Sequence, residues 1–577
     1  MGLKKNLSMK INPQAIPFSI SGSYMAVNYL WWEWAITPKT PKGWYIRGVG
    51  ARSREVFELI PIRNETVLII ADATATPGQL TLSVDDGTIE CTWADTATLH
   101  IRVRGCQLRL RAITRAWANA YQTNGAWMVI PDSECDKFLC VPLRGALTAN
   151  CQWLHRPSHD QVESLALTVT PDASGEAQIA ICADEVQPHF PTQWSSFDNN
   201  VRRIANDFAR FLAPFPPLAP EYAESRDLAA YILWVSTVAP RGHFAVPAVL
   251  MSKNWMDSVW SWDHCFTAFG LARAHPELAW QQFMLPFHAQ HPSGVLPDSI
   301  NARSASWMCT KSPIHGWALL RLLRMTDAIT SDHLCEAYEP LSRWARFWLE
   351  ARTFDESGLP YYITGNEQFD NITLFQGHAP YQSADLASYV VLLQEALAVV
   401  ADRIGRHSEA NRWRLGASEL QSKIVPHFWR GHQLVAPRYG DGVTSPNECL
   451  FRYTPLVLGS RLPPEVTSTM IADLQRPGKW LTPSGALATE ALDSEYYDDA
   501  SYVRGPIWAP PNLIIYDGLR QVGANELAAT VSRGFCSLCV EQGMAENFNG
   551  RTGKAQRDPA YTWTPGAFLA LAEINAL

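Results

Sequence analysis

Carboxylate side chains are concentrated in long loops that are also rich in tryptophan, proline and glycine. Loops of this length inside a compact domain usually carry function. A carboxylic acid that gives a proton and a second carboxylate that activates water together supply what hydrolysis of a glycosidic bond requires. The loop carboxylates that could take these roles are Asp263, Asp298, Glu367, Asp370, Glu448, Asp493, Glu495, Asp498, Asp499, Glu546 and Asp558. Residue types alone do not choose a pair among them.

The composition favours a globular protein that acts on a neutral ligand. The chain has 577 residues, of which 47% are hydrophobic and 18% are charged, as is typical of compact folded proteins. A net charge of −8 gives no electrostatic reason to expect a nucleic acid or membrane partner. The 23 tryptophans offer flat apolar faces for stacking on sugar rings, although most of them could equally fill a large core. We therefore expect a small carbohydrate as the partner and no cofactor, and the sequence leaves the oligomeric state open.

Three further features bear on location and on metal binding. The start of the chain contains no apolar stretch of signal-peptide length, and no later segment approaches the length of a membrane span, so we expect a cytoplasmic protein. Cys536-x-x-Cys539 lies in a helical pattern without a second cysteine pair, which favours buried thiols over a metal site. The acidic run from Asp493 to Asp499 lacks the ligand spacing of a calcium loop. The sequence therefore predicts no bound metal and favours a solvated or sugar-facing loop for the acidic run, although a structural calcium there stays open.

The period of the apolar residues changes along the chain. Short alternating segments with turn residues predict a β-sandwich domain over residues 1–190, and residues 191–220 are typical of a helical and Pro-rich linker. Residues 221–577 contain roughly twelve helical patterns, the number that a six-fold double ring of helices requires. The fold class that we predict is therefore an N-terminal β-sandwich followed by an all-α (α/α)6 toroid catalytic domain.

Five sequence blocks occur in a fixed order between residues 250 and 570. They are Trp260-Ser-Trp262-Asp263-His264; Gln290 with Gly294-Val-Leu-Pro297 and Pro313-Ile-His315-Gly316; Phe369-Asp370-Asn371; Tyr502-Val-Arg504-Gly505-Pro506-Ile-Trp508; and Glu546-Asn547-Phe548-Asn549 with Thr552-Gly553 and Tyr561-Thr-Trp563-Thr564. Their order and spacing resemble the catalytic domain of glycoside hydrolase family 63. Bacterial members of that family include α-glucosidases and hydrolases of mannosylglycerate or glucosylglycerate.

The resemblance implies roles for two of the carboxylates. Asp370 matches the acid-bearing loop, and Glu546 matches the base that deprotonates the attacking water, so the reaction is expected to invert the anomeric configuration. An inverting pair needs a separation of roughly 6.5–9.5 Å between its carboxyl groups, so that a water fits between them. We expect Phe369 and Phe375 to provide an apolar setting that raises the pKa of Asp370, and we expect Glu546 to stay charged.

The resemblance also implies a sugar-binding pocket. Trp260, Trp262 and Asp263 would form its floor, unless Asp263 only caps a helix. Arg504 would bind hydroxyl groups, hold a catalytic carboxylate in its charged form or make a structural ion pair. The other expected pocket residues are His264, Gln290, His315, Asn371, Gly505, Trp508 and Trp563. Core positions are an equally good interpretation of Gln290 and His315, as is packing under the base for Trp563.

We predict an inverting, exo-acting hydrolase of short α-glucosides, such as a disaccharide or a glucosylglycerate-like compound. The nearest alternative is the same fold acting on another α-sugar, such as a mannoside or a rhamnoside. A toroid phosphorylase needs no base carboxylate, so the match at Glu546 counts against it. A non-catalytic sugar-binding protein is disfavoured because both carboxylates are present. Asn366-Glu367-Gln368-Phe369 stands where relatives often carry Glu-Ser-Gly, which leaves the aglycone side of the site open.

Overall fold

Alternating apolar residues in the N-terminal third form two antiparallel sheets in the computed structural model of the chain. The structure describes residues 9–31, 41–50, 54–190, 193–375, 380–444 and 448–575, without the side chains of Phe375, Ile574 and Asn575. It divides into two compact units, the first formed by Met1–Ala213, Ala230–Pro240 and Ser252–Ser258, and the second by Pro214–Ala229, Arg241–Met251 and Val259–Leu577. Most of the linker predicted at 191–220 therefore belongs to the first unit.

The two sheets make up most of the first unit. Their strands are β1 (Met25–Leu30), β2 (Gly43–Gly48), β3 (Arg54–Arg63), β4 (Thr66–Val67), β5 (Asp72–Thr76), β6 (Gln79–Val84), β7 (Gly87–Asp95), β8 (Thr98–Arg104), β9 (Gln107–Ala112), β10 (Asn119–Thr123), β11 (Ala126–Ile130), β12 (Lys137–Arg144), β13 (Ala146–His155), β14 (Asp160–Thr170) and β15 (Glu176–Asp184). One sheet has the order β1-β2-β3-β9-β14-β13 with β4 beside β3, and the other has the order β10-β11-β12-β15-β8-β7-β6-β5. Phe57 of the first sheet and Phe138 of the second meet edge to face, so the buried faces of the sheets pack together.

Helices make up most of the second unit, as the helical period of its sequence predicts. The α-helices of the chain are α1 (Phe197–Leu212), α2 (Ala223–Ser236), α3 (Asp263–Leu271), α4 (Pro276–His288), α5 (His315–Met325), α6 (Ser331–Arg346), α7 (Ala384–Arg403), α8 (His407–Phe428), α9 (Pro464–Leu474), α10 (Ala509–Gln521), α11 (Asn525–Gln542) and α12 (Trp563–Asn575). Other helical turns lie at Pro220–Tyr222, Phe347–Ala351, Gly365–Glu367 and Thr373–Phe375, and a longer 3₁₀ segment lies at Leu450–Arg461.

Six helical elements of the second unit contact one another in a closed order. They are α3, α5, α7, the 3₁₀ segment, α10 and α12, and α12 returns to α3. Helices α4, α6, α8, α9 and α11 pack against these six elements. All of α3 and most of α7 are buried, as expected for helices that are apolar on every side. By length and composition α7 could cross a membrane, but 89% of its apolar window is buried inside the fold, as in a core helix.

Short strands of two residues each pair with one another in the loops between the helices. They are β16 (Thr237–Val238), β17 (Ala248–Val249), β18 (Val259–Trp260), β19 (Ser299–Ile300), β20 (Ala305–Ser306), β21 (Tyr361–Tyr362), β22 (Tyr381–Gln382), β23 (Ile507–Trp508), β24 (Asn547–Phe548) and β25 (Ala555–Gln556). In the sheet of β23, β24 and β25, Trp508 lies opposite Asn547, and Asn547 lies opposite Gln556. This pairing brings the loop before β23 beside the loop that contains Glu546.

Candidate active site

Asp370 ends the acid loop, residues 365–370, which begins with a 3₁₀ turn. Its backbone has φ +46°, a left-handed conformation that Asp tolerates better than most residues do. Its side chain is 39% exposed, and the carboxyl group lies 3.8 Å from Lys311 Nζ. Burial raises the pKa of Asp370 against the opposing charge of Lys311. The side chain of Phe375, which we expected to contribute, lies outside the described residues. Asp370 is therefore a carboxyl group that water can reach and that holds its proton more tightly than usual, as a general acid requires.

Two buried polar networks hold the acid loop in place. Arg352 donates two hydrogen bonds, at 2.9 and 2.7 Å, to the fully buried carboxylate of Glu367. Gln368 donates to Asp385 at 2.5 Å and accepts from the Tyr381 hydroxyl at 3.0 Å. Glu367 is thus a structural carboxylate, and it fixes the segment that leads to Asp370.

Glu546 begins the base loop, residues 546–558, directly before β24. Its side chain is fully buried, and its Oε1 accepts a hydrogen bond from the Tyr502 hydroxyl at 2.8 Å. Burial raises the pKa of Glu546 to about 8, although the hydrogen bond from Tyr502 lowers it. Our expectation that Glu546 stays charged is therefore wrong for the free protein. Enclosure disfavours the carboxylate more than Tyr502 stabilises it, so the group holds a proton below about pH 8.

Four buried rings, which we call the ring cluster, join the acid loop to the base loop. The centroid of the Phe369 ring lies 5.6 Å from that of Trp262, 5.1 Å from that of Trp508 and 6.3 Å from that of Trp563. Trp563 Nε1 also donates a hydrogen bond to the carbonyl oxygen of Glu546 at 3.1 Å. Since Phe369 directly precedes Asp370, this packing brings the two carboxyl-bearing loops to the same part of the second unit. The three tryptophans are buried supports of the loops, as the packing alternative predicts for Trp563, whereas Trp262 and Trp508 were expected to face the sugar.

Tyr502 lies within electrostatic reach of both catalytic candidates. Burial raises its pKa, and the charges of Glu546, Asp370 and Asp263 raise it further. The Arg557 guanidinium lies 4.7 Å from the centroid of its ring. Tyr502 begins one of the five sequence blocks, but neither its type nor the resemblance predicts a role for it. Its hydroxyl fixes one oxygen of Glu546, so it belongs to the site.

Asp263 is the first residue of α3 and has an unused oxygen. The residue is 4% exposed, and within the described part of the chain Oδ2 has no hydrogen-bond partner. Burial raises its pKa to about 7, and the Lys311 charge lowers it. The helix start shows no side-chain cap, so the interpretation as a cap residue is not supported. A buried carboxyl oxygen beside Asp370 and without a partner is suited to accept a hydrogen bond from a sugar hydroxyl. Trp260, predicted beside it, is partly exposed in β18.

Lys311 and Asp298 complete the charged cluster. Lys311 Nζ donates to the carbonyl oxygen of Asn366 at 2.6 Å and lies 3.5 Å from Asp298 Oδ1. Both side chains are buried. Asp298 is one of the loop carboxylates named from the sequence, whereas no pattern singled out Lys311. In the sequence Lys311 is only a lysine in a loop that contains carboxylates. Its importance follows from the fold, which places it beside Asp370.

Asn371, directly after the acid loop, is bonded to the substrate loop, residues 501–508, which contains Arg504 and Gly505. Asn371 Oδ1 accepts a hydrogen bond from Val503 N at 3.0 Å, and Arg504 Nε donates to the Asn371 carbonyl at 2.7 Å. Gly505 has φ +139°, and a Cβ there would lie 2.8 Å from the Tyr497 ring. Asn371 and Arg504 thus link the two segments, and the place of Asn371, Arg504 and Gly505 in the wall of a sugar pocket stays a prediction.

His264 and His315 are core residues, which corrects the expected pocket position of His264 and agrees with the core interpretation of His315. The ring nitrogens of His264 lie 2.7 Å from Val249 O and 3.2 Å from Trp260 O. His315 Nε2 lies 2.9 Å from Ser261 O. Burial lowers the pKa of each histidine to about 4, so both are neutral. They position the start of α3 and the loop before it.

Gln290 is also structural, in agreement with the second of its two interpretations. Its Nε2 donates to Gly294 O at 2.8 Å and to Pro340 O at 3.0 Å, while its Oε1 accepts from Arg343 at 2.8 Å. Its side-chain amide is therefore used in fastening the loop after α4 to α6.

Sequence comparisons with known proteins agree on one family. Residues 256–564 match the family described as the mannosylglycerate hydrolase MGH1-like glycoside hydrolase domain. The chain is 22% identical over 404 residues to a mannosylglycerate hydrolase of Rubrobacter radiotolerans, which covers 54% of this chain and 89% of the relative. It is 22% identical over 411 residues to mannosylglycerate hydrolase MGH1 of Selaginella moellendorffii, with 57% of this chain and 82% of the relative covered.

Solved structures show how much of the fold is shared. The GH63 mannosylglycerate hydrolase of Thermus thermophilus in complex with glucose is 17% identical, covers 60% of this chain and 99% of its own, and has a TM-score of 0.53. The same enzyme has been solved in complex with Tris and D-glycerate, with a TM-score of 0.51, 16% identity and the same coverage. A bacterial glucoamylase complexed with acarbose is 11% identical, covers 97% of this chain and 94% of its own, and has a TM-score of 0.62. Because the family match spans more than half of its length, the chain belongs to the mannosylglycerate hydrolase MGH1-like glycoside hydrolases.

Proposed function

We propose that this chain is an inverting, exo-acting hydrolase of a short α-linked glycoside, with Asp370 as the general acid and Glu546 as the general base. One observation carries the proposal. The ring cluster brings the two carboxyl-bearing loops together, and the charges of both carboxyl groups raise the pKa of Tyr502. Inversion requires a separation of roughly 6.5–9.5 Å between the carboxyl groups in the substrate complex, which stays a prediction.

The site residues divide the chemical work. Asp370 protonates the glycosidic oxygen as the bond to the aglycone breaks. Glu546 must first lose its own proton, and it then takes one from the water that attacks the anomeric carbon on the opposite face. Tyr502 keeps the Glu546 carboxyl from rotating, and Asp263 accepts a hydrogen bond from a hydroxyl of the bound sugar. The reaction needs no cofactor, because both proton transfers run through carboxyl groups.

For the substrate we propose an α-glucoside with a small aglycone such as glycerate. The names of the sequence relatives and the D-glycerate complex of the Thermus enzyme support a glycerate aglycone. The same names favour mannose as a second candidate for the sugar. A panel of glucosylglycerate, mannosylglycerate and α-linked glucobioses separates these possibilities by comparison of kcat/KM values.

For the fold we propose a β-sandwich in the first unit and an (α/α)6 toroid in the second. Support for the toroid comes from the closed order of its six buried elements and from the five helices packed against them. One member of the ring would be the 3₁₀ segment Leu450–Arg461 in place of an α-helix.

The stereochemistry of the first product tests the proposal. The protein is incubated with the best substrate of the panel, and the anomer released first is followed by ¹H NMR. We expect the β-anomer from an α-glycoside, and initial release of the α-anomer would contradict inversion.

Two variants test the roles of the carboxyl groups. Asp370→Asn and Glu546→Gln should each lower kcat/KM on the glycoside by about 10² to 10⁴-fold. With the corresponding α-glycosyl fluoride, whose leaving group needs no acid, Asp370→Asn should keep most of its activity and Glu546→Gln should not. Glu495→Gln, at an exposed loop carboxylate, is the matched control. Full activity of Asp370→Asn on the glycoside would remove the assignment of the acid.

A further inference from the structure

Lys311 occupies a buried position between two carboxyl groups of the site. Its side chain is 9% exposed, and its Nζ lies 3.5 Å from Asp298 Oδ1 and 3.8 Å from Asp370 Oδ1. The third neighbour is the Asn366 carbonyl oxygen of the acid loop, which accepts a hydrogen bond at 2.6 Å. An ammonium group has three protons to donate, and these three oxygens lie around it. The arrangement ties Lys311 to the acid loop instead of presenting it to a ligand.

The two charged neighbours of Asp370 act on it in opposite directions. The charge of Lys311 lowers the pKa of Asp370, and the charge of Asp298 raises it. A charge within about 4–6 Å of a carboxyl group typically shifts its pKa by about one unit or more. Removal of Lys311 should therefore raise the pKa of Asp370, and removal of the charge of Asp298 should lower it.

We propose that Lys311 is a positioning residue that sets the pH range in which Asp370 works as the acid. Lys311 holds the carboxyl group of Asp370 in place, and its positive charge opposes the binding of a proton to that carboxyl group. The inference rests on the proposed role of Asp370. It assigns Lys311 no contact with the substrate.

Other titratable groups that face this pair come from the loop of Lys311 itself and from two further elements. Cys309, in the loop after β20, donates from its thiol to Asp298 at 3.4 Å, and its raised pKa of about 12 keeps it neutral. Tyr502 of the substrate loop is kept neutral by its raised pKa. Burial raises the pKa of Asp263 of α3 to about 7, and the charge of Lys311 lowers it. Asp263 would contact the sugar, so its titration should appear with any leaving group.

The test compares the pH dependence of kcat/KM for two substrates, the best glycoside and the α-glycosyl fluoride of the same sugar. The limb of the profile that is present with the glycoside and absent with the fluoride belongs to Asp370. We expect Lys311→Met to move this limb to higher pH by about one unit or more, and Lys311→Arg to leave it nearly unchanged. Asp298→Asn should move the same limb to lower pH. Lys423→Met, at a partly exposed lysine of α8, is the control.

Opposite shifts in Lys311→Met and Asp298→Asn support the proposal, because loss of structure alone would not move a limb in two directions. A limb that stays in place in Lys311→Met, or that moves the same way in both variants, overturns it. If Lys311→Met does not fold, the direction of the shift in Asp298→Asn decides the question. Failure of the proposed function gives a different result, since Asp370→Asn would then still hydrolyse the glycoside.

Discussion

At the scale of single residues, the hydroxyl group of Tyr502 partly offsets the burial of Glu546. Burial raises the pKa of Glu546, and the hydrogen bond from Tyr502 is the largest effect that lowers it. Tyr502→Phe should therefore raise the pKa of Glu546 above 8. With the glycosyl fluoride the kcat/KM profile keeps the titrations of Asp263 and Glu546, and the limb near pH 8 belongs to Glu546. This limb should move to higher pH by roughly one unit. An unmoved limb, or the same shift in the exposed-residue control Tyr121→Phe, would show that the hydroxyl has no such role.

The raised pKa of Glu546 also has a consequence for stability. The pKa rises from 4.5 to about 8 on folding, so this group contributes stability that is fully present below pH 4.5 and is lost as the pH rises through 8. Glu546→Gln cannot ionise and avoids that loss. We expect the Tm of this variant to exceed that of the wild type by a few degrees at about pH 9, with a much smaller difference at about pH 4. Glu495→Gln should show no such pH dependence, and an equal offset at both pH values would contradict the explanation.

Single residues also show where sequence reasoning was strong and where it was weak. Motif resemblance named Asp370, Glu546 and Asp263, and the structure gathers all three around Tyr502. The same resemblance placed His264 in the pocket and left His315 between pocket and core, although both support the backbone from the core. A motif records which residue types recur together and does not separate those that face a ligand from those that hold the loop.

At the scale of elements, the acid loop depends on the buried pair of Arg352 and Glu367. Removal of the cation leaves Glu367 buried without its partner, and such losses typically reduce the free energy of unfolding by about 3–5 kcal/mol. Arg352→Met should therefore lower stability and lower kcat more than it raises KM, because Asp370 would lose its fixed position. Chemical denaturation and steady-state kinetics measure both effects. Arg346→Met, at an exposed position of α6, is the control, and an undisturbed kcat in a folded Arg352→Met protein would contradict this role of the pair.

The elements that sequence periodicity predicted are those with long apolar stripes. Helix α7 and its neighbour α8 follow directly from the spacing of apolar residues. The 3₁₀ segment Leu450–Arg461 was missed, since Pro455 removes a backbone donor and Gly459 adopts a non-helical conformation inside it. The strands of two residues were missed as well. They are too short for an alternation to register, and they form because distant loops meet.

At the scale of the whole molecule, the sequence predicts the two kinds of structure but not their division. Strands come before helices, as the change of period indicates. Between residues 214 and 258, however, consecutive segments of the chain belong alternately to the second and the first unit. A single linker was the simplest interpretation of a Pro-rich stretch, and such local composition carries no information about which unit a later segment joins. Closure of the helical ring is likewise a long-range property, because periodicity describes each helix separately.

Contact between the first and the last helix of the ring depends on two glycines. A Cβ on Gly270 of α3 would lie 2.7 Å from Gly566 Cα of α12, closer than side chains and backbone approach each other in folded proteins. Gly270→Ala therefore forces α3 and α12 apart, and we expect it to destabilise the protein by about 1–3 kcal/mol despite the better helix propensity of alanine. Thermal and chemical unfolding measure the loss. Gly48→Ala, where an added Cβ meets nothing within 4 Å, should leave stability nearly unchanged.

Because α3 begins with Asp263 and α12 begins with Trp563, which holds the base loop, Gly270→Ala should also lower kcat/KM. A stable Gly270→Ala protein with full activity would show that the ring does not close at this contact.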